Sequence, residues 1–382
     1  MKIAERIESI TPFIVMDVLD RAKQLEKEGR EIVHLEVGEP DFDTPSIIME
    51  TGIDSIRRGD THYTHSLGLI ELREAISEHY QRKYNVEISP DQIIVTSGTS
   101  PAMLLIFGAL LNPGDNVLMS NPYYPCYPNF VKFVGGNPLF FPIYEENGFR
   151  PDIADMKKRI DSQTKSIIVN SPANPTGIVL DFDTLSSIAS LGPYVISDEI
   201  YHGLVYEGKE HSILEITDNA FVLNGFSKLY AMTGWRLGYV IAPKKFIRPM
   251  QKLQQNLFIS ASAFAQRAAI AALREADEEI KKMVRVFNMR RIFIIDALKK
   301  LGFGIKNEPT GAFYVFANAK KFASNSYDFA FKLLEKAGVA VTPGIDFGTN
   351  GEGYIRFSYS NSIQNIEKGI KRIEEFLKNF HK

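Results

Sequence analysis

The sequence predicts an α/β fold: a three-layer large domain with a mainly parallel sheet, joined to a smaller α+β domain. Six short apolar runs recur between residues 93 and 242, they are continuous rather than alternating, and most are separated by stretches of helix length. Continuous apolar runs are what strands buried on both faces require. Their alternation with helices is the rhythm of a parallel sheet covered on both sides. At 382 residues the chain also exceeds what one hydrophobic core usually serves, so a second, smaller domain is expected.

Taken in order, the chain first offers an arm and a helix over 14–28, in which Val15, Val18, Leu19, Ala22 and Leu25 keep near-helical spacing and Gly29 marks the end. Gly38-Glu39-Pro40-Asp41-Phe42-Asp43-Thr44-Pro45 then reads as an extended crossing segment, because residues before proline avoid helix. The sheet strands follow: Ile93-Ile94-Val95, Asn116-Val117-Leu118-Met119, Ser166-Ile167-Ile168-Val169, Tyr194-Val195-Ile196, Phe221-Val222-Leu223 and Tyr239-Val240-Ile241. A helix over 101–111 separates the first two and is closed by Asn112-Pro113-Gly114. A long amphipathic helix over 275–301 ends at Gly302. Beyond it Ala312-Phe313-Tyr314-Val315-Phe316, Val339-Ala340-Val341 and Tyr354-Ile355-Arg356-Phe357 alternate with helices on a smaller scale. The expected division is an arm and part of the small domain over 1–44, a large ligand-binding domain over 45–285, and a small C-terminal domain over 286–382.

Composition narrows the function. With 44 basic and 46 acidic residues the formal charge is −2, which offers no field for nucleic acid or an acidic membrane surface. The longest apolar run, 102–111, falls far short of the roughly 20 residues that span a bilayer. The first eight residues mix charge into every turn and lack the apolar centre of a secretion signal. Cys126 is the only cysteine, so no internal disulfide or cysteine-based metal cluster forms, and a cytoplasmic protein without a metal is expected.

In a parallel sheet, ligands gather beyond the carboxyl ends of the strands. Four such places carry chemistry. Thr96-Ser97-Gly98-Thr99-Ser100-Pro101 is a small-residue turn opening a helix, where free N–H groups and two hydroxyls suit an anion. Asn170-Ser171-Pro172-Ala173-Asn174-Pro175-Thr176-Gly177 holds the Asn174 amide between two prolines that restrict the backbone. Ser197-Asp198-Glu199-Ile200-Tyr201 puts an acid at the end of a buried strand, which is costly unless a cation meets it. Last, Ser227-Lys228 and Gly234-Trp235-Arg236 place a hydroxyl, an amine and a guanidinium between two apolar runs. Together they describe a receptor for an aromatic, phosphorylated aldehyde: Lys228 for an imine, Asp198 for a ring nitrogen, Asn174 and Tyr201 for a ring hydroxyl, and Ser227, Arg236 and the 98–100 turn for the phosphate.

This set resembles the class I/II aminotransferases of the fold type I pyridoxal phosphate family. The similarity runs from Val37-Gly38-Glu39-Pro40-Asp41-Phe42 through Tyr63, Gly68 and the motifs above to Arg356-Phe357-Ser358, almost the whole chain. The resemblance implies pyridoxal 5'-phosphate as cofactor, with Lys228 as the imine-forming and proton-carrying residue. Asp198 would pair with the ring nitrogen, Asn174 and Tyr201 would bond the ring oxygen, and Gly98, Thr99, Ser100, Ser227 and Arg236 would hold the phosphate. It implies that Tyr124 stacks on the cofactor, that Gly38, Asn174 and Arg356 meet the substrate, and that Tyr63 reaches the phosphate of a neighbouring subunit in a homodimer. It implies too that Arg356 grips the substrate α-carboxylate, which its planar fork fits bidentately. The phosphate turn departs from many relatives in carrying Thr99-Ser100-Pro101 where a longer polar side chain is common.

The implied activity is ping-pong transfer of an α-amino group from an aspartate, alanine or aromatic donor to a 2-oxo acid, with 2-oxoglutarate the expected acceptor. A C–S lyase of the same fold is the alternative, and a ligand-sensing domain of the same shape a remote one. A nucleotide enzyme is disfavoured: there is no G-x-G-x-x-G, and the phosphate-loop imitation at 203–209 is followed by Glu210 where Ser or Thr is needed. Arg57, Arg58 and Arg274 are the candidates for a second, dicarboxylate-binding arginine.

Overall fold

The computed structural model describes residues 3–380; Met1 and Lys2 of the expected arm, with His381 and Lys382, lie outside the described residues. Along the chain run α1 (Ile14–Lys27), β1 (Val33–His34), α2 (Ser46–Arg57), α3 (Ile70–Tyr84), β2 (Ile93–Thr96), α4 (Thr99–Leu110), β3 (Asn116–Asn121), α5 (Cys126–Phe133), β4 (Asn137–Pro142), α6 (Ile153–Arg159), β5 (Thr164–Asn170), α7 (Phe182–Ala189), β6 (Tyr194–Asp198), β7 (Ala220–Gly225) and β8 (Gly238–Ile241). There follow α8 (Lys244–Leu257), α9 (Ala263–Glu275), α10 (Asp277–Leu301), β9 (Tyr314–Asn318), α11 (Ser326–Lys332), β10 (Val339–Ala340), β11 (Thr342–Pro343), β12 (Tyr354–Ser358) and α12 (Ile363–Phe380).

The large sheet has seven strands in the order β2-β8-β7-β6-β5-β3-β4. All neighbours pair in parallel except β8, which runs antiparallel to both β7 and β2 and so leaves β2 aligned with the rest. Alternate residues of each strand feed two separate apolar clusters. Val95, Leu118, Ile167, Val195 and Val222 join one, while Ile94, Val117, Ile168, Ile196 and Phe221 join the other. A sheet that buries both faces this way needs helices on both, which gives the three layers and explains why its strands read as unbroken apolar runs. The carboxyl ends of β2, β3, β5, β6 and β7 consequently open on one edge.

Two smaller sheets complete the molecule. β1 pairs in parallel with β10, Val33 opposite Val339, and β11-β12-β9 form an antiparallel sheet in which Arg356 lies opposite Phe316 and Thr342. The arm helix α1 buries the stripe Val15, Val18, Ala22 and Leu25.

Four details differ from the sequence reading. The run 339–341 is not one strand: Val339–Ala340 serves β1 and Thr342–Pro343 serves β12, because the chain changes partner between them. β4 is absent from the sequence reading: its apolar run Leu139-Phe140-Phe141 stands between Pro138 and Pro142 at the sheet edge, where a missing N–H is tolerated. α4 opens at Thr99, two residues before Pro101, behind a Gly98 whose φ of +96° suits glycine alone. α10 begins at Asp277 and runs unbroken through residues 285 and 286 to Gly302, a left-handed cap. Among the described residues no helix is long and apolar enough to cross a membrane, and no cluster of His, Cys, Asp and Glu is placed to hold a metal ion.

Candidate active site

At the open edge of the sheet a cavity of about 200 Å³ is lined by Lys228, Asp198, Asn174, Tyr201, Arg356 and Tyr124, with Gly38, Thr99 and Ser100. Nine of the predicted site residues therefore meet in one place, delivered by the ends of β2, β5 and β6, the turn after β7, the turn after β3, the crossing segment and β12.

Asp198 is the last residue of β6 and is 5% exposed. Its Oδ2 accepts the Tyr127 hydroxyl at 2.6 Å and its Oδ1 the Ile200 N–H at 3.2 Å. Among the described residues it forms no ion pair with a basic side chain. Burial pushes its carboxyl up to about 6, against the pull of those two hydrogen bonds. A cationic ring nitrogen in the cavity would relieve that penalty.

Lys228 donates from Nζ to the Gly38 carbonyl at 2.7 Å. Burial above all lowers its amine to about 8, with Arg356 and Arg236 acting in the same direction and Glu39 and Asp198 opposing. Asn174 is fixed from both sides. Its N–H donates to Asn170 Oδ1 at 2.7 Å, while its Oδ1 accepts from Arg356 Nη1 at 2.9 Å. Asn170 in turn donates to the Asp198 carbonyl at 2.9 Å, stitching the turn after β5 to the end of β6.

Arg356 is 3% exposed on β12. Its Nη2 donates to Thr342 Oγ1 at 3.1 Å and to the Glu36 carbonyl, and its guanidinium lies 4.4 Å from the Tyr314 ring centroid. Tyr314 shares a 2.8 Å hydrogen bond with the Tyr201 hydroxyl. The arginine is thus oriented by neutral acceptors and rings and, among the described residues, pairs with no carboxylate, as a receptor for a carboxylate should.

Not every predicted residue lines the cavity. Gly98 and Ser227 flank it, and Arg236 lies just outside, donating from Nη1 to the Thr233 carbonyl at 2.9 Å. A Cβ on Gly98 would stand 2.8 Å from Arg236 Nη2, so the glycine is what lets the guanidinium approach the start of α4. Tyr63, between α2 and α3, is 81% exposed and away from this chain's cavity. Arg57, Arg58 and Arg274 pair with Asp54, Asp60 and Glu78, and none of them lines it.

Comparisons with known proteins give the chain its family. A family model described as aminotransferase class I and II matches residues 30–373. The chain belongs to that family. It is 46% identical over 379 residues to the (5-formylfuran-3-yl)methyl phosphate transaminase of Methanocaldococcus jannaschii, covering 98% of this chain and 99% of the relative. It is 38% identical to the aspartate aminotransferase of Pyrococcus horikoshii, covering 98% and 97%. Among solved structures, a Methanococcus jannaschii protein described as similar in its active site to kynurenine aminotransferases aligns with TM-score 0.92 at 45% identity over 98% of this chain and 100% of that one. Thermus thermophilus aspartate aminotransferase with maleate aligns with TM-score 0.94 at 35% identity, covering 98% and 99%. The protein is an aminotransferase with the α/β architecture of fold type I, and the cofactor of that family is pyridoxal phosphate.

The sequence reading of the aminotransferase missed Tyr127, Asn170 and Tyr314, which hold Asp198, Asn174 and Tyr201. Only their positions just after, at or within strand and helix signals point to them, and nothing in the local pattern tells which tyrosine reaches which acid. It also passed over Glu199, fully buried beside Asp198. Glu199 Oε1 accepts the Ser197 and Ser212 hydroxyls at 3.1 and 3.0 Å and the Ile213 N–H at 3.0 Å, and Oε2 accepts the Tyr80 hydroxyl at 3.3 Å. Burial raises its carboxyl to about 8 and lowers the adjacent His202 to about 4, so their 3.5 Å contact joins two neutral groups. A protonated carboxyl is close in shape to an amide. Glu199→Gln is accordingly expected to unfold within about 1 kcal/mol of the parent, whereas Glu199→Ala, which strands four buried donors, is expected to lose roughly 3 kcal/mol. Urea unfolding of the two variants checks this.

Proposed function

We propose that this aminotransferase binds pyridoxal 5'-phosphate in the cavity at the sheet edge and moves an amino group between an L-amino acid with an apolar or aromatic side chain and a 2-oxo acid. The observation that carries the reading is the convergence of Lys228, Asp198, Asn174, Tyr201 and Arg356 on one cavity. The donor set fits the cofactor: a buried amine, a buried acid lacking a cation, and the start of a 12-residue helix with two hydroxyls. Bound there, pyridoxal phosphate supplies an aldehyde carbon and a ring able to take up the electron pair left when a Cα proton departs.

The residues do the rest. With burial drawing its pKa down to about 8, Lys228 has a neutral form accessible near neutral pH, so the amine is able both to bond the aldehyde carbon and to accept a proton from the substrate Cα. Asp198 would hold a proton on the ring nitrogen. Asn174 and Tyr201 would bond the ring oxygen, and Tyr124 would stack on the ring. Gly98, Thr99, Ser100, Ser227 and Arg236 bind the phosphate. Arg356 takes the substrate α-carboxylate, next to Gly38 and Asn174. The proposal includes a homodimer in which exposed Tyr63 of one subunit reaches the phosphate site of the other. It also includes the two-domain division, supported by the pairing of β1 with β10 and of α1 with the small sheets.

The side-chain preference rests on the cavity wall. Phe13, Val15, Met16 and Met103 line it, and Phe13 meets Tyr124 edge to face at 6.0 Å. Lys228 and Arg356 are the only cations among the lining residues, and both have other work. A distal carboxylate would find no partner here. A flat aromatic aldehyde phosphate, the chemistry named for the Methanocaldococcus relative, fits the same wall and is the second reading. The test is kcat/KM for phenylalanine, tyrosine, alanine and aspartate against 2-oxoglutarate and pyruvate, with an aromatic aldehyde phosphate as a further acceptor. Aromatic donors are expected to exceed aspartate by at least about tenfold. Aspartate as the best donor would overturn the preference, and release of pyruvate and ammonia from cystathionine would mark the lyase instead.

A further inference from the structure

Residues 36–42 cross the mouth of the cavity as irregular chain, in none of the sheets. Two of their carbonyls nevertheless work in the site: that of Glu36 accepts Arg356 Nη2 and Thr342 Oγ1, and that of Gly38 accepts Lys228 Nζ. The fit is tight. A Cβ on Gly38 would lie 1.7 Å from the Tyr314 hydroxyl, so the strap has little freedom to settle closer.

A segment without ladder hydrogen bonds must be located by side chains. The strongest anchor is at Asp41. Its carboxylate receives both arms of the Arg290 guanidinium, at 2.6 and 2.9 Å, and its N–H donates to the Ser360 carbonyl at 3.0 Å. Arg290 comes from the middle of α10, is 6% exposed, and stacks over Phe42 at 5.0 Å and Phe287 at 5.6 Å. Asp41 is its only carboxylate partner among the described residues. A bidentate fork fixes direction as well as distance, which a lysine in the same place would not do.

We propose that the Asp41–Arg290 fork is a positioning pair that sets the height of the 36–42 strap, and through the Glu36 and Gly38 carbonyls the placement of Arg356 and Lys228. The pair touches neither substrate nor cofactor. The proposal rests on the reading of Lys228 as the reacting amine, and its test separates the two.

The first measurement uses the cofactor-free protein and no amino transfer. Reaction of Lys228 with acetic anhydride is followed by peptide mass spectrometry against pH. The groups that set its titration are Glu39, Arg356, Arg236 and Asp198, none of which is changed. In Asp41→Asn and Arg290→Lys the slackened strap admits water, and the Lys228 titration is expected to rise by about one pH unit toward the ordinary lysine range. The second measurement, kcat/KM of the holoenzyme, is expected to fall about 10²-fold in both variants, as misplacement of reacting groups by an ångström does. Asp41→Glu, which keeps the charge, should recover part of both effects. Arg159→Gln breaks an equally bidentate fork to Asp155 on the outer surface and should change neither. Parent-like titration and kcat/KM in Asp41→Asn and Arg290→Lys would overturn the proposal, as would losses accounted for entirely by the unfolded fraction in thermal melts. Shifted labelling without any amino transfer in the parent would instead sink the assigned reaction and leave the fork's role standing.

Discussion

Lys228→Ala is expected to lower amino transfer by at least about 10⁴-fold, the upper end of what one positioned acid–base group contributes, because the variant loses the covalent anchor and the proton carrier together. Among the described residues no other primary amine lines the cavity. The substitution removes a buried cation and the bond to Gly38, so the protein itself should stay folded: burial already opposes the charged form of this amine. Pyridoxal phosphate is still expected to bind through the α4 start, Asp198 and Arg236, now without borohydride-stable attachment to the chain. Steady-state rates, a borohydride trap read by mass spectrometry, and a thermal melt check the three parts. Transamination within tenfold of the parent would remove Lys228 from the chemistry.

Asp198→Asn is expected to cut kcat/KM by roughly 10³-fold while making the cofactor-free protein more stable. The loss follows from the charge pair: an anion and a ring cation about 4 Å apart at an effective dielectric near 20 attract by about 4 kcal/mol, or some three decades of rate. The gain follows from burial. An acid whose folded value is raised to about 6 from an ordinary 3.8 binds its proton more tightly in the folded state. Its charged form therefore weakens the cofactor-free protein above pH 6, and that penalty fades as pH falls from 6 to 4. The neutral amide of the variant carries no such penalty. Its stability advantage should reach up to about 3 kcal/mol at pH 8 and disappear by pH 4, as read from urea unfolding at the two pH values. An advantage independent of pH would mean that the carboxylate is not the source.

Much of the site was legible because Asp198, Asn174 and Lys228 lie at or after strand ends, and strands buried on both faces advertise themselves. Asp198 after Tyr194-Val195-Ile196, Asn174 after Ser166-Ile167-Ile168-Val169, and Lys228 after Phe221-Val222-Leu223 all lie where parallel topology must bring them together. What stayed illegible depends on distance across the fold. That Tyr127 reaches Asp198, that Arg290 reaches Asp41, and that Gly38 fits only against Tyr314 are contacts between elements whose mutual placement no local period encodes. Edge strand β4 escaped notice for another reason: its apolar run Leu139-Phe140-Phe141 is bracketed by Pro138 and Pro142, which read locally as loop punctuation. Glu199 escaped because a buried acid next to another acid looks like a solvated pair until its hydroxyl and amide partners are seen.

The pairing of β1 with β10, and the bond from Arg356 to the Glu36 carbonyl 320 residues earlier, have a consequence for biosynthesis. A chain emerging from the ribosome presents β2 through β8 well before β9, β12 or α12 exist, so the large sheet and its lysine can be assembled while the carboxylate grip is still untranslated. β1 and the strap behind it must wait, unpaired, until residues 339–358 arrive. On the proposed roles, each nascent molecule carries the reacting lysine before it carries the carboxylate-binding arginine, and only the synthesis of β12 joins the two.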